Sequence, residues 1–391
     1  MSRRGALRIG LVWVAWLGVL LAAVAIGLAV GAYRWSPGWY EHQGLWPLFA
    51  WDYNWYEHIA VAGYPGGQGG REYAFFPLWP LLLRAVGTHL DVIVGAGAAW
   101  AASLAAFFGV ASGLPRARLT TALAVACWPG SFALAIAYPD ALALAAGAWA
   151  AALALRGKPL AAGTVGAIAA FARPNGVLIA LPLAWVGRRS ARGWIGAAFP
   201  VAAAAAVEAY FWARSDRASA FFDAQRLWGR GGPHNLPHWA HQLGAVLRHH
   251  WPVIGVFAVA AAVALGLAWR RFGPWPTAIA AYACAVPLLL AATRSLEGFV
   301  DSARAALVLP LLVLLWRLGE RYRPWAAFAT VVVASLLLSG TMQSFGRQSL
   351  FAFPIFWAIA EGPRWLRSLP LALLGAAGNI ALVLMLTRFA P

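Results

Sequence analysis

Apolar runs of about 20 residues recur along nearly the whole chain, separated by short polar or basic loops. A helix of that length rises about 30 Å, enough to cross the hydrocarbon core of a bilayer. A membrane β-barrel would show short segments of alternating polarity, and none are visible. The pattern therefore predicts an all-α polytopic membrane protein with about 13 helical membrane segments, some of them short or broken. The first run, Ile9 to Val30, is too long for a signal-peptide core and has no convincing small-residue cleavage site after it. It reads as the first transmembrane helix.

Basic residues mark the cytoplasmic side of a membrane protein. Here they fall at Arg3/Arg4/Arg8, Arg116/Arg118, Arg156/Lys158, Arg188/Arg189/Arg192, Arg270/Arg271, Arg317/Arg321/Arg323 and Arg364/Arg367. Placing all of these inside gives one consistent path, with the N-terminus in the cytoplasm and the C-terminus outside. Helix one covers about 9–31, and a long exterior loop follows at 32–89. Further helices are expected at 90–113, 117–137 and 139–156. The stretch 159–187 has basic loops on both sides, so it is expected to be two short helices meeting at Arg173-Pro174-Asn175-Gly176, where proline interrupts the helix bonds. Broken backbone at membrane depth is tolerated where it lines a cavity. Later helices are expected at 193–213, 251–269, 275–293, 303–317, 325–341, 349–361 and 368–388, with a second exterior loop at 214–250. No internal repeat or soluble domain interrupts this plan, so residues 1–391 read as a single transmembrane domain.

Composition narrows the function classes. The chain is 62% hydrophobic and 11% charged, too apolar for a soluble protein of this size. A formal charge of +17 invites a nucleic-acid role, but the arginines are spread over loops and form no single patch, so that role is rejected. Lys158 is the only lysine; with the abundance of alanine this suggests a GC-rich bacterial genome. Cys127 and Cys284 lie in apolar runs, and neither a disulfide nor a metal site is expected from them.

Acidic residues are scarce, at 13 in 391. Three of them, Asp52, Glu57 and Glu72, fall within one part of the first exterior loop, the aromatic stretch Trp51-Asp52-Tyr53-Asn54-Trp55-Tyr56-Glu57 and its continuation through Gly63-Tyr64 to Phe75-Phe76-Pro77-Leu78-Trp79-Pro80; Glu41 precedes them in the same loop. An ionisable group near a bilayer is costly and is by default a functional candidate. The stretch suits a helix lying at headgroup level. Asp52, half-shielded by indole rings, is expected to have a raised pKa suited to general-base work; the alternative is a helix cap. Asp140, in Tyr138-Pro139-Asp140, is placed to cap a helix. Arg173 and Arg347 fall on the same exterior side and need partners; Arg347 is a natural bidentate holder for a lipid phosphate, the alternative being headgroup snorkelling. Asp52, Glu57 and His58 could join in a metal site, although their helical spacing is poor. His234, His238, His241, His249 and His250 match no standard zinc spacing.

These motifs, in order from about residue 45 to 361, resemble those of the PIG-V-like mannosyltransferases, bacterial relatives of the second mannosyltransferase of GPI-anchor synthesis. The resemblance rests on Trp51-Asp52-x-x-Trp55-Tyr56, Gly63-Tyr64, Phe75-Phe76-Pro77-Leu78-x-Pro80, Tyr138-Pro139-Asp140-Ala141-Leu142, Ala172-Arg173-Pro174-Asn175-Gly176, and Ser344-x-x-Arg347 with Phe353-Pro354-Ile355-Phe356. Asp140 stands where the family commonly has Glu, and Gln348 stands where it often has an aromatic residue.

The resemblance implies a GT-C-type membrane glycosyltransferase. Its expected activity is inverting transfer of a sugar, mannose by analogy, from a polyprenyl-phosphate donor to a lipid-linked or cell-envelope glycan acceptor. Asp52 matches the family's candidate base. The substrate-binding candidates are Trp51, Trp55, Tyr56, Glu57, Tyr64, Phe76, Asp140, Arg173, Asn175 and Arg347. No cofactor or metal is required, because the phosphate is already a good leaving group and the arginines can stabilise it. The expected setting is a monomer in the bacterial plasma membrane with its site facing outside. Competing readings are a polyprenyl-pyrophosphate glycan ligase or polymerase, a lipid or glycan flippase, and an inactive scaffold. The absence of two related halves counts against a transporter.

Overall fold

The computed structural model describes residues 2–29, 52–67, 69–86, 91–128, 130–230, 308–339 and 344–362. The expected helices at 251–293 and 368–388, the exterior-loop histidines and Trp51 lie outside the described residues. Among the described residues every regular element is helical. Among the described residues three helices are long and apolar enough to cross a membrane: Arg3–Ala29, Val94–Gly113 and Ala191–Ser215.

The helices are α1 (Arg3–Ala29), α2 (Asp52–Ala62), α3 (Leu78–Val86), α4 (Asp91–Gly113), α5 (Arg118–Ala126), α6 (Asp140–Ala154), α7 (Pro159–Ala172), α8 (Ala180–Gly187), α9 (Ala191–Ser215) and α10 (Ala220–Leu227). After a helix over 308–316 come α11 (Arg323–Leu337), α12 (Phe345–Gln348) and α13 (Ile355–Glu361). The expected break within 159–187 is present. Helix α7 ends at Ala172, Arg173 is extended at φ −150° and ψ 148°, and a 3-10 turn over Pro174–Ile179 leads into α8.

Two expected helices are cut short. The segment expected at 117–137 is helical only to Ala126; a buried irregular stretch with a 3-10 turn at Ser131–Leu134 carries the chain to Asp140. Pro139, at the N-cap of α6, limits helix at its far end. Its carbonyls find partners in indoles: Trp100 Nε1 donates to Ala135 O at 3.0 Å, and Trp79 Nε1 donates to Ala137 O at 2.9 Å. Buried backbone that leaves a helix must be satisfied in some such way. Likewise the segment expected at 349–361 is α12, a 3-10 turn at Ser349–Ala352, and α13.

Packing shows which ends lie together. Helix α7 meets the start of α9 so closely that a Cβ on Gly163 would overlap the Gly196 carbonyl, and one on Gly196 would overlap that of Pro159. Small residues permit such approach between apolar helices, where no hydrophobic effect drives association. The basic loops 156–158 and 188–192 are therefore neighbours. Arg321 Nη2 donates to Leu155 O at 3.1 Å, bringing the 317–323 loop to the same end. The far end of α9 reaches the first loop, where Arg214 Nε donates to Tyr64 O at 3.1 Å. The described basic loops thus gather at one end of the bundle and the acidic-aromatic loop at the other.

Helix α6 runs parallel to α4, with a Cβ on Gly109 falling 3.1 Å from Ala148 Cβ, and Trp149 Nε1 donating to Ala105 O at 2.9 Å. Counting back along both helices, Asp140 starts α6 about ten residues into α4, or about 15 Å below the Asp91 end. The candidate site lies at this level of the bundle.

Candidate active site

Four separate breaks in the helical structure deliver the charged groups: the start of α2 (Asp52), the start of α6 (Asp140), the α7 terminus (Arg173) and the short α12 (Arg347). Arg347 Nη2 lies 2.7 Å from Asp52 Oδ2. Arg173 Nη1 pairs with Asp140 Oδ1. Arg347 Nε is 3.9 Å from that same Asp140 oxygen, so the two pairs form one cluster. The arginines sought as unpartnered cations are thus each matched to an aspartate.

Aromatic rings enclose the cluster. The guanidinium carbon of Arg347 sits 5.0 Å from the Tyr138 ring centroid, within cation–π range. The Tyr138 hydroxyl accepts the Asp52 backbone N–H at 3.1 Å, satisfying one of the orphan donors at the start of α2. Tyr56 is buried, 6.4 Å centroid to centroid from Tyr138. Trp55 stacks on Phe75 at 5.8 Å and meets Trp228 edge-on at 5.5 Å.

The Arg347 segment is held from below. A Cβ on Gly130 would overlap the carbonyl of Gly346, so the two backbones touch. Trp128 Nε1 and Ser349 Oγ both donate to that carbonyl, at 3.3 and 3.1 Å. These contacts fix the turn from which Arg347 projects.

Two expectations are corrected. Asp52 was expected to be a base of raised pKa. Burial does push its carboxyl up, but Arg347 beside it, with Arg230 and Arg173 further off, outweighs burial and holds it below the ordinary carboxylate value. For Asp140 a helix cap was one of two readings, beside substrate binding. It makes no side-chain cap bond; Pro139 takes the N-cap position, and the Asp140 carboxylate turns to the arginines.

The remaining candidates divide. Glu57 is buried on α2, and Asn175 lies in the 3-10 turn after Arg173 with a buried Oδ1 that has no hydrogen-bond partner among the described residues. Tyr64 and Phe76 lie in packing beside the site: Tyr64 Oη donates to Phe75 O at 2.6 Å, and Phe76 packs against Phe211 and Phe221. His58 faces Glu72, with 3.9 Å between Nε2 and Oε1. Among the described residues no three His, Cys, Asp or Glu side chains converge as metal ligands.

Sequence reasoning missed two residues. Tyr138 belongs to the Tyr138-Pro139-Asp140 motif but was not a site candidate, because its hydroxyl and ring contacts needed the fold. Arg230 lies close enough to Asp52, Arg347 and Arg173 for their charges to act on one another. Its signal was available: an arginine on the side opposite the basic loops runs against the usual charge asymmetry and calls for an anionic partner.

No family model matches the sequence, and no curated protein matches it.

Proposed function

We propose that this chain is a GT-C-type integral-membrane glycosyltransferase, with about 13 membrane segments in all. It would move a sugar, mannose on the motif resemblance, from a polyprenyl-phosphate donor to a lipid-linked or envelope glycan acceptor at the exterior face of a bacterial plasma membrane. The observation that carries this reading is the ion-paired cluster of Asp52, Arg347, Asp140 and Arg173 in the half of the bundle away from the basic loops. A lipid-borne phosphate approaches a site at that depth from the bilayer, and guanidinium groups suit phosphate oxygens.

In the reaction, Asp52 accepts the proton of an acceptor hydroxyl. The hydroxyl oxygen bonds to the anomeric carbon from the face opposite the phosphate, giving inversion. The bond from that carbon to the phosphate oxygen breaks, and the polyprenyl phosphate leaves with the electron pair. Arg347 and Arg173 stabilise the charge gathered on the phosphate. The Asn175 Oδ1 atom can accept a hydrogen bond from a sugar hydroxyl. Tyr56, Trp55 and the neighbouring rings offer apolar faces to a sugar.

The reading is tested by incubating the purified protein with radiolabelled polyprenyl-phosphate mannose and a membrane lipid extract. Label appearing in a new lipid or glycan product supports it and names the acceptor. Label remaining wholly on the donor, with glucosyl and galactosyl donors also untouched, counts against sugar transfer.

A further inference from the structure

The proposed base is not free in this structure. Its Oδ2 atom is bound by Arg347 at 2.7 Å. A carboxylate in such a pair is a weak proton acceptor, and the depressed pKa of Asp52 follows the same contact. Arg347, however, is poorly served by the arrangement. A guanidinium binds an oxyanion best through two parallel N–H bonds. Here Nη2 goes to Asp52, while Nε is buried without a hydrogen-bond partner among the described residues, 3.9 Å from Asp140. A tetrahedral phosphate offers two oxygens to one guanidinium edge and would engage Nε and one Nη nitrogen together.

The charge balance points the same way. Asp52 and Asp140 face Arg173, Arg230 and Arg347, which leaves one positive charge in excess among the described residues of the cluster. A phosphodiester, the linkage in a sugar–phosphate–lipid, carries one negative charge.

Resting on the reading above, we propose that Arg347 is a lock on Asp52: the phosphate of the prenyl donor displaces the carboxylate from the guanidinium, and only then is Asp52 able to take a proton. Donor binding and activation of the base become one event. An acceptor hydroxyl, or water, entering before the donor meets a carboxylate that is already engaged. Donor binding therefore precedes acceptor activation, and idle attack by water is suppressed.

Competition of this kind has a signature in binding alone. If part of the affinity for phosphate is spent breaking the Asp52 pair, removing Asp52 must tighten phosphate binding. The probe is farnesyl phosphate, which carries no sugar, titrated against the purified full chain by calorimetry. Asp52→Asn is expected to bind about tenfold tighter than wild type. Asp140→Asn removes the same charge from the same cluster but leaves the Arg347–Asp52 bond, so its gain should be clearly smaller. Should Asp140→Asn fail to fold, salt makes the same distinction: a gain due to net charge fades as salt is raised, whereas a gain from freeing Arg347 persists. Equal gains in the two variants, no gain in Asp52→Asn, a gain that salt abolishes, or no binding by wild type overturns the lock. Sugar transfer is read separately. Transfer without preferential tightening removes the lock and keeps the enzyme. Tightening without transfer keeps the lock on a lipid phosphate and removes the glycosyltransferase.

Discussion

Arg347 and Asp52 meet at 2.7 Å, although one lies near the start of the described chain and the other near its end. Asp52 starts α2 and gives its N–H to Tyr138 Oη, while Arg347 follows Gly346, whose backbone touches Gly130. The pair joins the acidic-aromatic loop to the segment before α13 and puts the candidate base and the candidate phosphate ligand in direct contact.

If Asp52 is the base, Asp52→Asn preserves its shape but removes the proton acceptor. Transfer should fall about 100- to 10,000-fold, the usual contribution of a positioned general base. The check is product formation by the purified variant, with and without EDTA. Near-normal turnover removes Asp52 from the chemistry. Loss of wild-type activity in EDTA restores the metal alternative.

Arg347→Lys keeps a charge but loses the planar fork, so it should raise the apparent KM for the donor more than that for the acceptor. Arg230→Gln should do the same more weakly, because that residue acts on the cluster by its charge. Unchanged donor KM in both variants assigns the phosphate to other residues.

Gly130→Ala forces a side chain into the Gly346 backbone, which carries Arg347. Overpacking of this kind costs about 1–3 kcal/mol. A lowered Tm in detergent together with weakened donor binding is expected. Gly97, which has open space where a Cβ would stand, is the control; Gly97→Ala should be neutral.

The depressed pKa of Asp52 sets a pH dependence. A carboxyl whose native value lies below its unfolded one, about 3.9, contributes stability that is present above that pH and lost as pH falls through the native value. The Tm difference between wild type and Asp52→Asn should therefore hold steady across neutral and mildly acid pH and shrink only below about pH 4. A difference that shrinks already between about pH 6 and 5 contradicts the ion pair.

Orientation is tested by single cysteines placed in a background lacking Cys127 and Cys284. Gly66 is exposed in the first loop, and Arg189 is exposed among the basic loops. Gly66→Cys should react with an impermeant thiol reagent in intact cells, and Arg189→Cys only after permeabilisation. The reverse labelling inverts the topology.

Much of the architecture was legible because its causes are local. Apolar run length marked α1, α4 and α9, and the proline after Arg173 marked the break between α7 and α8. The irregular stretch 127–139 was not legible. Pro139 is a local signal, but the buried path leading to it depends on indoles from α3 and α4 satisfying its carbonyls. Arg230 was legible only as an arginine away from the basic loops; that its charge acts on Asp52 needed the fold, which brings a distant segment near it.

The sequence by itself determined an all-helical, membrane-type chain and nominated Asp52, Asp140, Arg173 and Arg347 as costly charges in need of partners. Hydrophobic run length and the rarity of acids are sufficient for that, since both express transfer energies of individual residues. Only the tertiary structure decided who pairs with whom. It gave Asp140 to Arg173, and Asp52 to Arg347, and so lowered the Asp52 pKa where burial alone would raise it. The sign of that shift depends on a charge a few ångströms away in space, and no sequence spacing encodes that distance.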